Sequence, residues 1–597
     1  MNPFKRILSL TKIYRRFIGR RMYLVFILTT GAALAEGVGI ILLLPLLGAL
    51  DGDSPPDTGA VRLIYDALAL LGADNSVLGI LLVISFVFVT KGVLIFLQIG
   101  YQGYLNALLM QELKARMFDA YSGMDYRYYI QRNTGHFINV LNEQIDRFTI
   151  SFKGFSSFLS SIVMTVGYMV MAFLIIWRFS LLAIGFSVVI LMLFRFLNKY
   201  MRTLSRKTSS EMGHLNKLLV QALQAFKYIA STNQIGHLRD GVMQSIQRLT
   251  RYKVHEGVAN ALTQAVREPV SILLIIGLVV VQVVLLETSV KPIIVVILLF
   301  HRCVGATITI QSSWQGVMSM VGSVETVDKE FNILEENQED SGTRPVLVFS
   351  DGIELQNVSF TYNQKLDPVL KQLNVSIPVN TTIAIVGKSG AGKSTLIDLL
   401  TLLLKPQSGT LLIDGVPAQE VELDSWRKQI GYVSQETIVF DDTFANNICL
   451  WQGDAASDAV LMGRIRKAAR QAYIADYIET LPESYQTMVG DRGIRLSGGQ
   501  RQRLFIAREL FKQPNLLILD EATSALDTES ERYIQESIDS LKGWITVVII
   551  AHRLSTIRKA DYVYVLEKGQ VIEEGSYQKL TKKSGSRLGE MVAQQVL

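Results

Sequence analysis

A chain of 597 residues is too long for one hydrophobic core, so at least two domains are expected. Apolar residues make up 49% of it, which fits a membrane half joined to a soluble half, and the formal net charge is +6. The two cysteines, Cys303 and Cys449, imply no disulfide framework, and the six histidines show no metal-ligand spacing. The basic excess does not point to nucleic acid, and no nucleic-acid partner is expected. Its Lys and Arg clusters flank apolar spans, as they do at the cytoplasmic ends of membrane helices.

Residues 3–21 interleave Lys5, Arg6, Lys12, Arg15, Arg16, Arg20 and Arg21 with Leu8, Leu10, Ile13, Tyr14, Phe17 and Ile18. The pattern predicts a basic amphipathic helix lying on the cytoplasmic face of a bilayer. A full-length apolar span follows with no small-residue cleavage site, which argues against a secretory signal peptide. An organellar transit peptide, Arg-rich and poor in acids, stays open. Six apolar spans come next, roughly Met22–Leu50, Val77–Tyr101, Gly154–Trp177, Ser180–Asn198, Val270–Leu286 and Pro292–Trp314. Each is near the roughly 20 residues that cross a bilayer as a helix. Only Arg178 and Phe179 separate the third span from the fourth, which predicts a tight hairpin.

Flanking charge sets the orientation. The N-terminus and segments 102–153 and 199–269 are rich in Lys and Arg, whereas Asp51–Asn75 carries Asp51, Asp53, Asp57, Asp66 and Asp74 against Arg62 alone. Both termini are therefore expected in the cytoplasm, with the chain multi-pass in a cell membrane, a bacterial inner membrane by preference. Val61, Ile64, Tyr65, Leu68 and Leu71 predict a short helix within the external segment. The two cytoplasmic excursions read as helices that extend membrane spans beyond the bilayer. A linker, 334–350, is expected where E-E-N-Q-E-D-S-G-T-R-P breaks the apolar pattern. The expected division is thus 1–21, 22–333, 334–350 and 351–597.

Several charges fall inside the membrane half. Glu36 is near the middle of span one, Lys91 near the middle of span two, Arg302 within span six, Arg195 near the end of span four and Arg267 just before span five. Such groups are costly in lipid and usually face a bundle interior or a cavity. Two readings stay open. In one, Glu36 and Lys91 are a structural pair, Arg195 and Arg267 snorkel, and only Arg302 faces a cavity. In the other, Lys91, Arg302 and Arg267 line the cavity and bind an anionic head group such as a phosphate or pyrophosphate.

The soluble half opens with antiparallel-type strands near Ile353–Tyr362 and Val369–Pro378. A buried strand, Ile383–Val386, then leads into Gly387, Lys388, Ser389, Gly390, Ala391, Gly392, Lys393 and Ser394, which match G-x-x-x-x-G-K-[ST]. Glycines let the backbone wrap phosphates closely, and the helix from Thr395 onward presents its amide end to them. Lys393 can reach the outer phosphates of a nucleotide, and the Ser394 hydroxyl can ligate Mg²⁺. Tyr362 is placed to stack on adenine. Gln435, in Y-V-S-Q, sits at a strand end within reach of metal and water. Further on, L-L-I-L-D ends in Asp520, a carboxylate for the Mg²⁺ shell, and Glu521 follows as the base that orients the attacking water. Between them come the helical stretch near Phe440–Glu509 and Leu496-Ser497-Gly498-Gly499-Gln500. Ser524-Ala525-Leu526-Asp527 follows, and a last apolar strand ends at Ala551-His552.

This set of motifs, in this order, resembles the ATPase domain of ATP-binding cassette (ABC) transporters, and the resemblance covers Ile353 to the C-terminus. The six-span layout with long intracellular helices is similar to the exporter-type membrane domain of that family. The fold class implied is an all-α six-helix membrane domain followed by an α/β P-loop ATPase domain with an antiparallel subdomain and a helical insert. By the same resemblance, Ser497, Gly498, Gly499 and Gln500 close over the ATP held by a second copy, so the active unit is a homodimer. Glu521, His552 and Gln435 complete the hydrolytic set. Thr134–Asn139 with Asp146-Arg147, and residues near Val220–Ile229, look like the family's two cytoplasmic contact regions. Thr487–Gly493 looks like the segment facing them, with Asp491 where Glu is commoner. Span one and the external helix are similar to the bacterial lipid-linked oligosaccharide flippases. ATP-driven export or flipping of an amphipathic, anionic, lipid-linked substrate is the function expected, with a peptide or multidrug exporter as the alternative. Six spans count against the soluble ABC ATPases, and the complete hydrolytic set counts against an ATP-gated channel.

Overall fold

The computed structural model describes residues 3–51, 59–72, 76–175, 195–266, 290–362, 367–490, 493–520, 528–551 and 557–596, with isolated helical positions between 176 and 194 and between 267 and 289. The chain divides into two compact units, residues 1–124 with 128–338 and residues 125–127 with 339–597.

The first unit is helical throughout its described residues. In chain order it contains α1 (Pro3–Ile18), α2 (Met22–Ile41), α3 (Leu43–Asp51), α4 (Gly59–Leu70), α5 (Val77–Ser122), α6 (Tyr126–Ile130), α7 (Thr134–Asn139) and α8 (Ile145–Ile175). These are followed by α9 (Arg195–Gln224), α10 (Phe226–Ser231), α11 (Ile235–Ala265) and α12 (Val290–Glu336). At 46 and 47 residues, α5 and α12 are each about 70 Å long at 1.5 Å per residue. That is more than twice the apolar thickness of a bilayer, so both run far into the aqueous side. Three helical runs among the described residues, Ile7–Ala49, Val77–Ser122 and Thr134–Phe173, are long and apolar enough to cross a membrane. The fourth and fifth expected spans lie largely outside the described residues.

The surface of α5 changes character along its length. Leu78, Leu82, Phe86, Val89, Val93 and Phe96 recur at three- and four-residue steps and are all exposed. Farther along, Leu105, Leu109, Leu113 and Met117 recur every four residues and are all buried. The first stripe suits lipid and the second a protein core.

Span one is interrupted. The helix breaks at Leu42, between α2 and α3, four residues after Val38 and three before Pro45. Proline has no N–H to offer the Ile41 carbonyl, which is the physical reason for a break there. The external helix forms at Gly59–Leu70, matching the expected position.

The amphipathic N-terminal helix forms, but its apolar side is not free for lipid. Leu10, Tyr14 and Ile18 are buried by the chain itself. The Tyr14 ring meets Phe148 and Phe152 edge-on at 5.4 Å, and its hydroxyl donates to Ser151 Oγ at 2.9 Å. Lys5, Lys12, Arg15, Arg20 and Arg21 remain exposed on the other side.

The expected first contact region also spends its side chains internally. Asn133 caps α7 through the His136 amide, Phe137 is buried, and Asn139 accepts from Asn216 at 2.9 Å. His136 Nε2 lies 3.0 Å from Glu330, a buried carboxylate that also accepts from Tyr128 at 2.7 Å and Tyr121 at 3.2 Å.

The second unit holds two sheets. A four-stranded antiparallel sheet has the order β2-β1-β4-β5, from Leu370–Pro378, Gly352–Phe360, Ser408–Ile413 and Val416–Pro417. The six-stranded sheet has the order β10-β9-β3-β8-β7-β6, from Gln570–Gly575, Tyr562–Glu567, Thr382–Gly387, Thr546–Ile550, Leu516–Asp520 and Ile430–Val433. All its neighbours are parallel except β9 and β10. Strands β3, β7 and β8 are buried along their whole length, which explains their unbroken apolar runs. Between β6 and β7 the chain is helical, with Phe444–Cys449, Ala459–Gln471, Ala475–Glu479 and Gly498–Phe511 forming the insert expected from the sequence.

The segment expected as a linker is partly built in. Helix α12 runs to Glu336, and beyond it the Gly342 amide donates to Val421 O at 3.0 Å and the Arg344 amide to Glu420 O at 2.8 Å. A Cβ at Gly342 would lie 2.1 Å from Glu420 C, so only glycine fits this approach.

Glu330 supplies a stability prediction. Replacing it by Ala leaves two tyrosine hydroxyls and an imidazole without their acceptor, at a cost of roughly 2–4 kcal/mol. The thermal midpoint of purified Glu330→Ala should fall by several degrees, and Glu330→Gln should recover part of the loss. An unchanged midpoint for Glu330→Ala would show that the network does not stabilise the helical unit.

Candidate functional site

Parallel pairing puts the C-terminal ends of β3, β6, β7 and β8 at one edge of the sheet. Val433 pairs with Leu519, Asp520 with Ile550, and Gly387 with Leu566 of β9. Open α/β sheets bind ligands at that edge, and the described residues of the glycine loop, Gln435 and Asp520 are carried there. Gln435 lies exposed two residues beyond β6, and Asp520 closes β7. Glu521 directly follows Asp520 and His552 follows β8 by two residues, but both lie outside the described residues, as do Asp491 and Arg267.

The glycine loop has the backbone that its sequence predicts. Gly390 has φ 79° and Gly392 φ 101°, both in the left-handed region. A Cβ at Gly387 would meet Leu566 O at 2.4 Å, and one at Gly392 would meet the Leu370 side chain at 2.6 Å. Gly390 has open space around it, and Lys388, Ser389 and Ser394 are exposed with it. Helix α13 (Lys393–Leu400) starts inside the loop, so its free amides point out of the same turn. The Lys393 ammonium donates to the Gly387 carbonyl at 2.8 Å and the Lys388 carbonyl at 3.1 Å, which spans it across the loop. This cradle fits a polyphosphate.

Tyr362 stands beside the loop. Its hydroxyl lies 3.2 Å from Thr395 Oγ1 and 3.5 Å from Asp398, Phe360 meets its ring edge-on at 5.1 Å, and 37% of the residue stays exposed. An aromatic with one face open at this place can stack on a base.

Two residues that the sequence reading passed over join this edge. Asp398, one turn into α13, has its carboxyl pushed up to about 6 by burial and by the charge of Asp520, against a lowering hydrogen bond from Tyr362. Burial and the charges of Asp520 and Asp398 also hold the Tyr432 phenol well above its usual range, and that hydroxyl hydrogen-bonds Asp520. No motif marks Asp398. Only the helical steps of four residues from Ser394 and three from Thr395 hint that it faces the loop. Among the described residues, no group of three or more His, Cys, Asp or Glu can hold a metal unaided. A Mg²⁺ here would need the phosphates as ligands, the mode natural to that ion, with Ser394 and Asp520 beside them.

The signature stretch is a helix cap. Ser497 caps the helix Gly498–Phe511, with its hydroxyl accepting from the Gln500 amide at 3.2 Å and the Gln500 side chain accepting from the Ser497 amide at 2.8 Å. Ser497 and Gly498 are exposed, so the capped helix N-terminus faces outward. Arg508, on the same helix, is buried between Phe440 and Phe505 and donates to the Ile438 and Asn447 carbonyls at 2.7 Å each. Burial pushes its guanidinium down to about 10. Arg508 thereby ties the loop beyond Gln435 to the signature helix.

The membrane half holds the other candidate site. Glu36 of α2 is buried, and its Oε1 lies 3.0 Å from Lys91 Nζ of α5 and 3.2 Å from Arg302 Nε of α12. The Tyr168 hydroxyl of α8 donates to Oε2. The two cations therefore share one oxygen and lie within about 6 Å of each other. The structural reading of the sequence paired Glu36 with Lys91 alone, whereas the structure adds Arg302 to the same carboxylate. Tyr168 escaped sequence reasoning because a tyrosine in an apolar span carries no charge signal.

The family description "ABC transporter transmembrane region" matches residues 22–307, and "ABC transporter" matches residues 370–524. The ATP-dependent lipid A-core flippase of Coxiella burnetii is 32% identical over 84% of this chain and 85% of its own. This chain belongs to the ABC transporter family. It is also similar to the lipid A-core flippase of Haemophilus influenzae, at 31% identity over 98% of this chain and 96% of that one. The heterocyst differentiation ATP-binding protein HepA of a Nostoc species is 34% identical over 80% and 78%. A bacterial Atm1-family ABC exporter solved with ATP bound has the same fold, with a TM-score of 0.79 at 24% identity over 97% of this chain and 98% of that one. As an ABC transporter, the chain is a multi-pass membrane protein that couples ATP hydrolysis to transport.

Asp398 gives a pH prediction. An acid whose folded pKa is raised takes up a proton on folding between its ordinary value, near 4, and about 6. Its contribution to stability therefore falls as pH rises through that window and is level above it. Asp398→Asn removes the slope. The midpoint of nucleotide-free Asp398→Asn, minus that of the unaltered protein, should grow from pH 4 to pH 6.5 and then flatten. A difference independent of pH would remove Asp398 from this role.

Proposed function

We propose that this ABC transporter flips an amphipathic, anionic, lipid-linked substrate, such as a lipid-linked oligosaccharide, across the membrane by alternating access. The observation that carries the reading is the cationic excess at Glu36, Lys91 and Arg302: two positive groups on one buried carboxylate, among four helices of the membrane half. A phosphate or pyrophosphate head group supplies the missing negative charge, and low local dielectric strengthens the attraction. The acyl or prenyl chains can stay in lipid while the head group crosses. Relatives named lipid A-core flippases support a lipid-linked cargo. Arg267, just before span five, is a third cation assigned to the head group.

In this reading residues 22–333 carry the cargo, 334–350 link, and 351–597 hydrolyse ATP. The termini and the ATPase domain are cytoplasmic, and the membrane is the bacterial inner membrane. Tyr362 stacks on adenine. The loop from Gly387 to Thr395 binds the phosphates through its amides, and Lys393 exchanges its two loop carbonyls for phosphate oxygens. Ser394, Gln435 and Asp520 hold Mg²⁺, whose contribution when bound is to neutralise phosphate charge. Glu521 orients the attacking water, and His552 completes the set around the outer phosphate. The outward-facing cap at Ser497, Gly498, Gly499 and Gln500 offers its helix N-terminus to the ATP of a second copy, making the functional unit a homodimer with two equivalent sites.

Two experiments test the two halves of this reading. Glu521→Gln should retain ATP binding and lose steady-state hydrolysis by roughly 100-fold or more, because the water loses its orienting base. Near-normal turnover of that variant would take Glu521 out of the mechanism. For the cargo, Lys91→Ala and Arg302→Ala should be prepared as folded protein that still binds ATP, then tested for flipping of a lipid pyrophosphate glycan in vesicles. Both should move it at least about tenfold more slowly, the loss expected from removing one charge-assisted contact. If both transport it as the unaltered chain does, the anionic head group is the wrong cargo, and peptide or multidrug export becomes the better reading.

A further inference from the structure

The Glu36 carboxylate is held in an uneven way. Its Oε2 accepts a hydrogen bond from Tyr168, a partner on a third helix that fixes the group in place. Its Oε1 is the oxygen that both Lys91 and Arg302 approach. Yet neither approach is aligned as a hydrogen bond, and among the described residues Oε1 has no hydrogen-bond donor. A buried carboxylate oxygen ordinarily takes aligned donors. Here it has charge neutralisation without them. The burial is uneven as well: the Glu36 side chain is 3% exposed and the Arg302 side chain 54%. The carboxylate thus sits at the closed end of the cluster and Arg302 at the open end. Two cations about one unaligned oxygen, opening on one side, is an arrangement into which a second anion can enter.

We propose that Glu36 is an internal stand-in for the anion of the cargo. Its carboxylate holds Lys91 and Arg302 between transport events and gives them up to the phosphate oxygens of the incoming head group. Tyr168 keeps Glu36 beside the site, so the carboxylate reclaims the cations when the head group leaves. Glu36 is therefore a positioning residue, and it sets both selectivity and release. Neutral head groups cannot displace it, and an anion bound without a competitor would leave slowly. The inference rests on the anionic-cargo reading above and adds to it a residue of opposite sign to the cations.

The test uses the full-length protein in detergent, with phosphatidic acid as the probe and phosphatidylcholine as the neutral control. In the unaltered chain, a carbodiimide should couple the Glu36 carboxyl to Lys91 Nζ, a pair 3.0 Å apart, giving an α2–α5 cross-link read by peptide mass spectrometry. Saturating phosphatidic acid should abolish that cross-link, and phosphatidylcholine should leave it. Inorganic pyrophosphate forms a second anionic arm. Loss of the cross-link in either anionic arm supports displacement, and comparing the two separates a lipid-borne phosphate from a free one. Binding of phosphatidic acid, followed by native mass spectrometry, should tighten at least about fivefold in Glu36→Gln, which keeps an acceptor for Tyr168 and removes the competing charge. Glu36→Asp, too short to reach both cations, should shift binding the same way. A cross-link that never forms, that survives both saturating phosphatidic acid and pyrophosphate, or that phosphatidylcholine also abolishes would overturn the proposal. So would unchanged or weaker binding in folded Glu36→Gln. The two readings fail separately. If Lys91→Ala and Arg302→Ala bind phosphatidic acid like the unaltered chain, the anionic-cargo reading falls. If they bind it less well while Glu36→Gln binds it no better, only the role of Glu36 falls.

Discussion

Parallel strand pairing decides where chemistry can occur in this molecule. Strands β6, β7, β8 and β3 run the same way and in close register, so the chain leaves all four at one edge. Residues separated by well over a hundred positions, such as Gly387 and Asp520, are thereby delivered to the same place. The helices between the strands cover both faces, which is why the strands can be apolar throughout and why their ends must carry every polar function. The antiparallel sheet serves the same edge, because β1 ends at Phe360 and leads directly to Tyr362.

Charge out of water imposes the second constraint. Glu330, Arg508 and Glu36 are all buried, and each is held from several directions. Glu330 collects Tyr121, Tyr128 and His136, which joins α5, α6, α7 and α12. Arg508 collects two carbonyls and the Asn447 side chain. In both, the donors and acceptors match well and the result is rigidity. Glu36 differs, since its charges are met while one oxygen lacks an aligned donor. The contrast separates clusters that fasten helices together from one whose partners can be exchanged.

Much of this was legible from the residues in order. The glycine loop, the strand ending in Asp520 and the signature before its helix are local patterns whose backbone follows from the chain itself. The external helix and the helical insert were readable for the same reason. What stayed hidden depends on contacts between distant segments. Asp398 is raised by burial and by the charge of Asp520, more than a hundred residues away, and no local pattern reports that. Leu10, Tyr14 and Ile18 look alike in sequence whether lipid or Phe148 and Phe152 cover them. The interval 342–346 reads as a spacer from its Gly and Pro content, yet a glycine at 342 is what lets it lie against 420–422. Arg302 joined Glu36 only once α2 and α12 had been brought together.

The two stripes of α5 also carry different amounts of information. From Leu78 to Phe96 the exposed side chains suit a solvent of hydrocarbon, which has no shape to match. Leucine, valine, isoleucine and phenylalanine are nearly interchangeable there, and drift at those positions leaves the structure alone. From Leu105 to Met117 the buried side chains face other side chains, where one methylene more or less is felt. One continuous helix thus contains a permissive stretch and an exacting one, with the change falling near residue 100. Tolerance to substitution along α5 would therefore trace the edge of the bilayer as plainly as a lipid label does.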